Sequence, residues 1–328
     1  MKILIGYDGS DCSNAALDDL KTAGLPDEEV EALVMSVADV WLPAPPENET
    51  LSEYAKNLQT HPQFFKAYER NAKAVTEAET LAKHAQSRLL RIFPAWQITA
   101  EADYGSPAWE IITKANVMKA DLIVVGSHGR SAIERFFLGS ISNKVLTEAD
   151  CTVRVARGKI EVDPTPSRVV IGYDGSAGAD AAVAAVAARN WREQSEVKLV
   201  AIDDPITPSA IGGLVPPIAV WTKESNEGEH EWLRKMAESS IKKLQTAGLT
   251  ATFQIESGNP KQILVEEAER WHADSIFVGA NRFGSRIERF LLGSVSAAVA
   301  ARAHCSVEVV RKASNADSSE SRINVSEQ

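Results

Sequence analysis

Ile133-Glu134-Arg135-Phe136-Phe137-Leu138-Gly139-Ser140-Ile141-Ser142 comes back as Ile287-Glu288-Arg289-Phe290-Leu291-Leu292-Gly293-Ser294-Val295-Ser296. Eight of these ten positions are identical and the other two exchange one apolar residue for another. Upstream, Ile5-Gly6-Tyr7-Asp8-Gly9-Ser10 returns unchanged as Ile171-Gly172-Tyr173-Asp174-Gly175-Ser176. Both blocks keep their order in each half, so the repeated unit is a whole domain. That places a first domain over residues 1–158, a linker over 159–166, a second domain over 167–312 and a polar tail, expected to be disordered, over 313–328.

Within each half, short apolar runs alternate with helical stretches. The first half reads as strands near Lys2–Tyr7, Val30–Val37, Trp96–Ala102, Asp121–Gly126 and Thr152–Ala156. Helices are expected near Asp11–Ala23, Pro62–Ile92, from Ser106-Pro107 onward, and Ser140–Glu148. The second half repeats the order, with strands near Arg168–Tyr173, Val197–Ile202, Thr250–Ile255, Ser275–Gly279 and Ser306–Val310. Its helices are expected near Ala177–Asn190, Glu229–Thr246, Pro260–Trp271 and Ser294–Ala303. Strand–helix alternation predicts right-handed βαβ units and a parallel sheet covered on both faces. A long proline-bearing loop follows the second strand of each half, suited to a lid, an interface element or mobile filler. The mixed charges of Pro62–Ile92 read as a solvated helix face.

Composition narrows the function. At 328 residues and a net charge of −10, the chain suits two globular domains and not a basic nucleic-acid or anionic-membrane surface. No apolar run reaches the roughly 18 residues of a membrane span, and no secretory signal pattern precedes the first strand. Cys12, Cys151 and Cys305 form no CxxC pair, which predicts neither a disulfide framework nor a zinc site and points to a reduced, cytoplasmic setting. Cys151 and Cys305 stand at matching places before the last strand of each half and read as small buried residues.

Chemistry is expected where the fourth strand of each half ends. Gly126-Ser127-His128-Gly129 is followed by nine residues and then Gly139-Ser140, between a buried strand and a helix. Parallel α/β sheets bind ligands at the carboxyl ends of their strands. Free N–H groups of Ser140, Ile141 and Ser142 would point there with the positive end of the helix dipole, and the Ser140 and Ser142 hydroxyls could add hydrogen bonds. Backbone donors of this kind bind phosphate without net positive charge. The plainer reading makes Ser140 a cap and the glycines turn residues. The second half reads Gly279-Ala280-Asn281-Arg282-Phe283-Gly284, then eight residues, then Gly293-Ser294. Arg282 is either a phosphate ligand or a solvated charge. Gly279 to Gly284 has P-loop spacing, but Ser285-Arg286 replaces the required Lys-Ser/Thr. No dinucleotide fingerprint and no catalytic triad can be assigned.

These motifs together resemble a tandem member of the universal stress protein family, and the likeness covers nearly all of both halves. The residues that carry it are the Tyr-Asp-Gly-Ser strand ends, the strand before Gly-Ser-His-Gly, the Gly-x2-Gly-x9-Gly-Ser run and the closing strand. The resemblance implies two Rossmann-like α/β domains, each a five-stranded parallel sheet in the order 3-2-1-4-5, with ATP at the strand ends. Carried over by motif, Asp8 and the backbone near Val37 border adenine and ribose. Gly126, His128 and Gly129 line the phosphate loop, and Gly139, Ser140, Ile141 and Ser142 hold the phosphates. The matching second set is Asp174, Gly279, Arg282, Gly284, Gly293, Ser294, Val295 and Ser296, with the first site expected to bind better. The implied function is an adenine-nucleotide-binding module of stress adaptation. AMP or ADP, with or without Mg²⁺, stand as alternative ligands. A slow ATPase and a nucleotide-independent interaction module are the competing readings. No metal ligands and no catalytic residues are assigned. The two domains are expected to pair with each other, with association of two chains and an unidentified protein partner left open.

Overall fold

The computed structural model describes residues 1–41, 62–128, 138–157, 166–204, 223–280 and 292–311, with the side chains of the two long helices from Phe64 and His230 onward. The linker to residue 165, most of both long loops, the tail, and the expected site residues Gly129, Arg282 and Gly284 lie outside the described residues.

In the first half, β1 (Lys2–Gly6), β2 (Glu31–Ala38), β3 (Gln97–Tyr104), β4 (Leu122–Gly126) and β5 (Thr152–Ala156) alternate with α1 (Asp11–Asp19), α2 (Pro62–Ile92), α3 (Pro107–Met118) and α4 (Ser140–Glu148). The second half repeats this with β6 (Arg168–Gly172), β7 (Glu196–Asp203), β8 (Thr250–Ser257), β9 (Ser275–Gly279) and β10 (Ser306–Val310). Its helices are α5 (Ala177–Ala187), α6 (Lys223–Thr246), α7 (Pro260–Arg270) and α8 (Ser294–Arg302). The strands form one ten-stranded sheet in the order β3-β2-β1-β4-β5-β10-β9-β6-β7-β8. Each half therefore has the 3-2-1-4-5 order and is parallel throughout. The halves meet where β5 pairs antiparallel with β10, Arg154 opposite Glu308. This antiparallel joint turns the strand ends of the two halves to opposite edges of the sheet.

Residue choice explains the layers. β4 is Leu-Ile-Val-Val-Gly and buried along its whole length, as a strand covered on both faces must be. On one face, Leu4, Ile123, Val153 and Val155 share a continuous core with Val307, Val309, Ile276 and Val170, so apolar packing crosses the joint. On the other face the core is divided, with Ile3, Ile5, Leu17 and Leu89 in one half and Ile171, Val183, Leu244 and Phe277 in the other. The alternation of β5 and β10 puts Arg154, Ser306 and Glu308 between these two cores, all three buried.

Helix α2 keeps Ala78, Ala82, Ala85 and Leu89 on its inner face, the repeat expected of a helix over a sheet. Its outer face carries the exposed Lys73–Glu77 and Lys83–Glu79 pairs, each four residues apart. Three helix boundaries differ from expectation by more than one residue. Helix α1 gives way at Leu20 to a 3-10 turn ending at Thr22, α5 stops at Ala187, and α6 begins at Lys223 instead of Glu229. The three cysteines are free and half-buried. Burial pushes the Cys151 thiol up to about 11 and the Cys305 thiol up to about 12, so neither is a thiolate near neutrality.

Candidate functional site

Within each half, β1 and β4, or β6 and β9, lie side by side while their connections leave in opposite directions. Such switch points form the ligand crevice of parallel sheets. Asp8 follows β1 and Ser127 follows β4, at the same edge of the first half. Ser10 caps α1, its hydroxyl accepting from the Ser13 N–H at 3.2 Å. The Asp8 carboxylate accepts from the Ser10 N–H at 3.0 Å and the Ser10 hydroxyl at 2.6 Å. Asp8 is thus part of the turn that starts α1. Asp174 accepts from the Ser176 N–H in the same way, at 3.0 Å. In β2 the Met35 carbonyl accepts from the Tyr7 N–H at 2.9 Å. Val37, two residues on and in the same phase, turns its backbone toward the place where β1 has ended.

The two helices behind β4 and β9 start differently from α1 and α5. Gly139 and Gly293 occupy the N-cap positions and supply no capping side chain. Ser140 and Ser294 are exposed. Among the described residues no N-cap side chain therefore accepts from the first turns of α4 and α8, whereas Ser10, Ser176 and Asn259 accept from the Ser13, Ala179 and Lys261 N–H groups at the starts of α1, α5 and α7. Both positive helix ends face the crevice.

Two expected roles change. The Ser142 hydroxyl is not directed at a ligand: it is buried and donates to the Gly126 carbonyl at 2.6 Å. Ser296 does the same to Gly279 at 3.0 Å. These serines fasten the start of α4 and α8 to the end of β4 and β9, which leaves their N–H groups as what they can offer the crevice. Gly126 likewise permits a close approach by α1. A β-carbon there would stand 3.0 Å from the Cys12 carbonyl carbon and 3.1 Å from the Ser13 nitrogen. Gly279 faces Gly178 of α5 more closely still.

His128 is 8% exposed and its Nδ1 lies 3.0 Å from the Ser127 hydroxyl. Its Nε2 is buried with no hydrogen-bond partner among the described residues. Burial, helped by the Arg157 cation, holds the His128 pKa below its ordinary 6.5. The imidazole is therefore neutral near pH 7. Because the unfolded chain keeps the ordinary value, stability is fully present above about pH 6.5 and falls as pH drops toward the folded value. His128→Gln should lose less of its urea midpoint than the parent between pH 7.5 and pH 5. An identical loss in both proteins would mean that His128 does not contribute to acid sensitivity.

The second site differs at its mouth. The indole of Trp232, on α6, lies against Gly175, where an added β-carbon would meet it at 2.8 Å. His230 reaches the end of β7 with Nε2 3.2 Å from an Asp203 carboxylate oxygen. Aligning the long helices on the fully buried Leu89 and Leu244 puts exposed Glu77 at the place of Trp232. The sequence expectation located the second-half difference in the Gly279–Gly284 loop. Residues 281–284 of that loop lie outside the described residues; the bulky groups over Gly175 and Asp203 come from α6, and a tryptophan opposite a glutamate in the two long helices was the available signal.

Among the described residues no cluster of three or more His, Cys, Asp or Glu is placed to hold a metal ion, and no helix is long and apolar enough to cross a membrane. The fold and the paired crevices define a tandem, doubly wound α/β protein. The family model "Universal stress protein family" matches residues 1–157 and again 166–311, and the chain belongs to that family. A universal stress protein of Methanocaldococcus jannaschii is 34% identical over 161 residues, covering 48% of this chain and 81% of that protein. One from Mycobacterium tuberculosis is 28% identical over 143 residues, 39% of this chain and 46% of that protein. The crystal structure of a universal stress protein from Archaeoglobus fulgidus superposes with a TM-score of 0.59 at 20% identity, covering 94% of this chain and 98% of that one.

Proposed function

We propose that this protein binds an adenine nucleotide, with ATP as the favoured ligand, in the crevice of its first half, and that nucleotide state governs its conformation or choice of partner in the cytoplasm. One observation carries the reading: α4 opens at the switch point on an uncapped glycine, with exposed Ser140 and buried, fastened Ser142 fixing the direction of its first-turn N–H groups. Such an array suits phosphate oxygens. The buried, neutral His128 adds one polar atom beside it. Trp232 and His230 over the matching residues of the second half make that site the weaker one. Any Mg²⁺ is taken to arrive with the phosphates.

The test is calorimetric titration of nucleotide-stripped protein with MgATP, followed by product analysis of the same sample. One dominant site with ATP intact is the expected result. The decisive variant is Ser140→Pro. Proline is tolerated at the first helical position, and the Gly139 ψ of 152° already suits a residue preceding it. The variant removes one cradle N–H and leaves the helix. A charge-assisted hydrogen bond of roughly 1.5–3 kcal/mol corresponds to about a tenfold to hundredfold loss of affinity. Ser140→Ala, which keeps the N–H, should bind nearly as the parent does. Ser294→Pro should leave the dominant site unchanged. ATP affinity unaffected by Ser140→Pro would place the phosphates elsewhere, and sustained ADP release would move the protein to the enzyme class.

A further inference from the structure

The joint between the halves contains two kinds of contact, and they have different consequences. Some contacts follow the internal repeat. Arg157, just after β5, donates from its backbone to the Ser306 hydroxyl at 2.8 Å and from its guanidinium to the Ala300 carbonyl at 2.6 Å. Arg311, just after β10, donates from its backbone to the Thr152 hydroxyl at 3.2 Å and from its guanidinium to the Leu146 carbonyl. Each arginine thereby closes the carboxyl end of the other half's last helix. Val153 against Val309 and Val155 against Val307 are likewise interchangeable. Contacts of this kind would serve a pairing of two first halves, or of two second halves, equally well.

The buried charges break that symmetry. Arg154 and Glu308 are the middle residues of β5 and β10 and stand directly opposite each other on the local two-fold axis. Arg154 is 0% exposed, and it donates to Asp19 at 2.6 and 3.1 Å and to Glu308 at 3.3 Å. Glu308 also accepts from Arg189. Asp19 accepts from the Ser306 hydroxyl at 2.6 Å, and Arg189 reaches back to the Ala23 carbonyl at 2.7 Å. Two cations and two anions balance inside a layer that water does not reach. Counted from the caps Ser10 and Ser176, α5 has Ala185 where α1 has Asp19, and Ala23 stands where the second half has Arg189.

We propose that this network is a recognition device that makes β5 of the first half accept β10 of the second half and reject a copy of itself. Pairing two first halves in the same register would set Arg154 against Arg154, and two second halves would set Glu308 against Glu308. Like charges directly opposite on a sheet are unfavourable even at a surface. Buried, each would also lose the oppositely charged partner it has across the joint. The partner that fits the β5 edge is a strand with a carboxylate at its centre and an arginine behind it. Further assembly of whole chains then has to use other faces, because both terminal strands are already matched.

The experiment uses the full chain with a protease site placed between residues 158 and 165. After cleavage the halves are unfolded together in urea, refolded, and their pairs weighed by native mass spectrometry. Unlike pairs are expected to exceed like pairs by roughly tenfold or more. Arg154→Gln with Glu308→Gln, which keeps hydrogen-bonding capacity but removes the facing charges, should narrow that ratio by about tenfold. Arg157→Ala with Arg311→Ala should weaken every pairing and leave the ratio unchanged. Comparable amounts of like and unlike pairs from the parent chain would overturn the proposal. So would a ratio that the double glutamine change does not move. The parental ratio decides alone if the glutamine variant does not refold.

Discussion

Gly279→Ala is expected to destabilise the second half severely, while the matching Gly126→Ala should be tolerated with a moderate loss. A β-carbon on Gly279 would run into the carbonyl group of Gly178 and lie 2.6 Å from its Cα. These are backbone atoms of α5, so no rotamer change can yield the space. The helix would have to lift from β9, against which it packs Ala179, Ala182, Val183 and Val186, all buried. On Gly126 the nearest atoms, the Cys12 carbonyl carbon and oxygen, are 3.0 Å away, a clash that a shift of a few tenths of an ångström relieves. Overpacking costs typically about 1–3 kcal/mol and occasionally more. The first-half change belongs at the lower end of that range and the second-half change at or beyond the upper end. Urea unfolding of the two variants gives the comparison directly. Equal losses would mean that α5 is free to rise, and a larger loss at Gly126 would contradict the geometry at both strand ends.

This contrast also marks how far the sequence could be read. The repeated glycines after the fourth strands were legible as phosphate-loop or turn residues. Their direction was not legible. Whether the approaching backbone is a ligand's or a neighbouring helix's depends on where α1 and α5 settle over the sheet, and the packing fixes that. Ser142 and Ser296 make the same point. Their recurrence suggested phosphate ligands, whereas their hydroxyls hold Gly126 and Gly279. Periodicity served well where it was strong. The bounds of α2, α4, β5, β9 and β10 are those expected, since long amphipathic or short continuous apolar runs leave little choice. It failed at α6, which runs through Asn226 and Gly228. Glycine costs a helix about 1 kcal/mol relative to alanine, and that cost is too small to stop one. The two terminal strands carry a further pattern. Thr-Val-Arg-Val-Ala and Ser-Val-Glu-Val-Val are the same strand with opposite charges at the centre. A charge between valines on a terminal strand is a sign of a buried partner, and the opposite charge in the other repeat names it.

Arg154→Ala is expected to be the most costly removal of a charge in the described structure. The guanidinium lies at the middle of the ten-stranded sheet and is 0% exposed. Burial disfavours its charge, yet Asp19 and then Glu308 outweigh burial and hold its pKa above the ordinary arginine value. Arg189 is held below it by burial, to which the neighbouring Arg154 cation adds and which Glu308 offsets only in part. Arg154 is therefore the cation on which the network depends. Among the described residues, its loss leaves Asp19 with the Ser306 hydroxyl and Glu308 with Arg189. Breaking a buried pair from one side costs about 3–5 kcal/mol. Lys83→Ala on the outer face of α2 should cost less than about 0.5 kcal/mol, since Lys83 and Glu79 are both well solvated. Arg154→Lys should fall between, keeping the charge but losing the fork that meets both oxygens of Asp19. Because the charge sits between the two divided cores, the unfolding curve of Arg154→Ala should also separate into two transitions, one for each half. Observation of one transition at the parental midpoint would show that the apolar face alone, through Val153, Val155, Val307 and Val309, holds the halves together. A displaced but single transition would instead mean that the charges stabilise the joint without deciding whether the halves unfold as one.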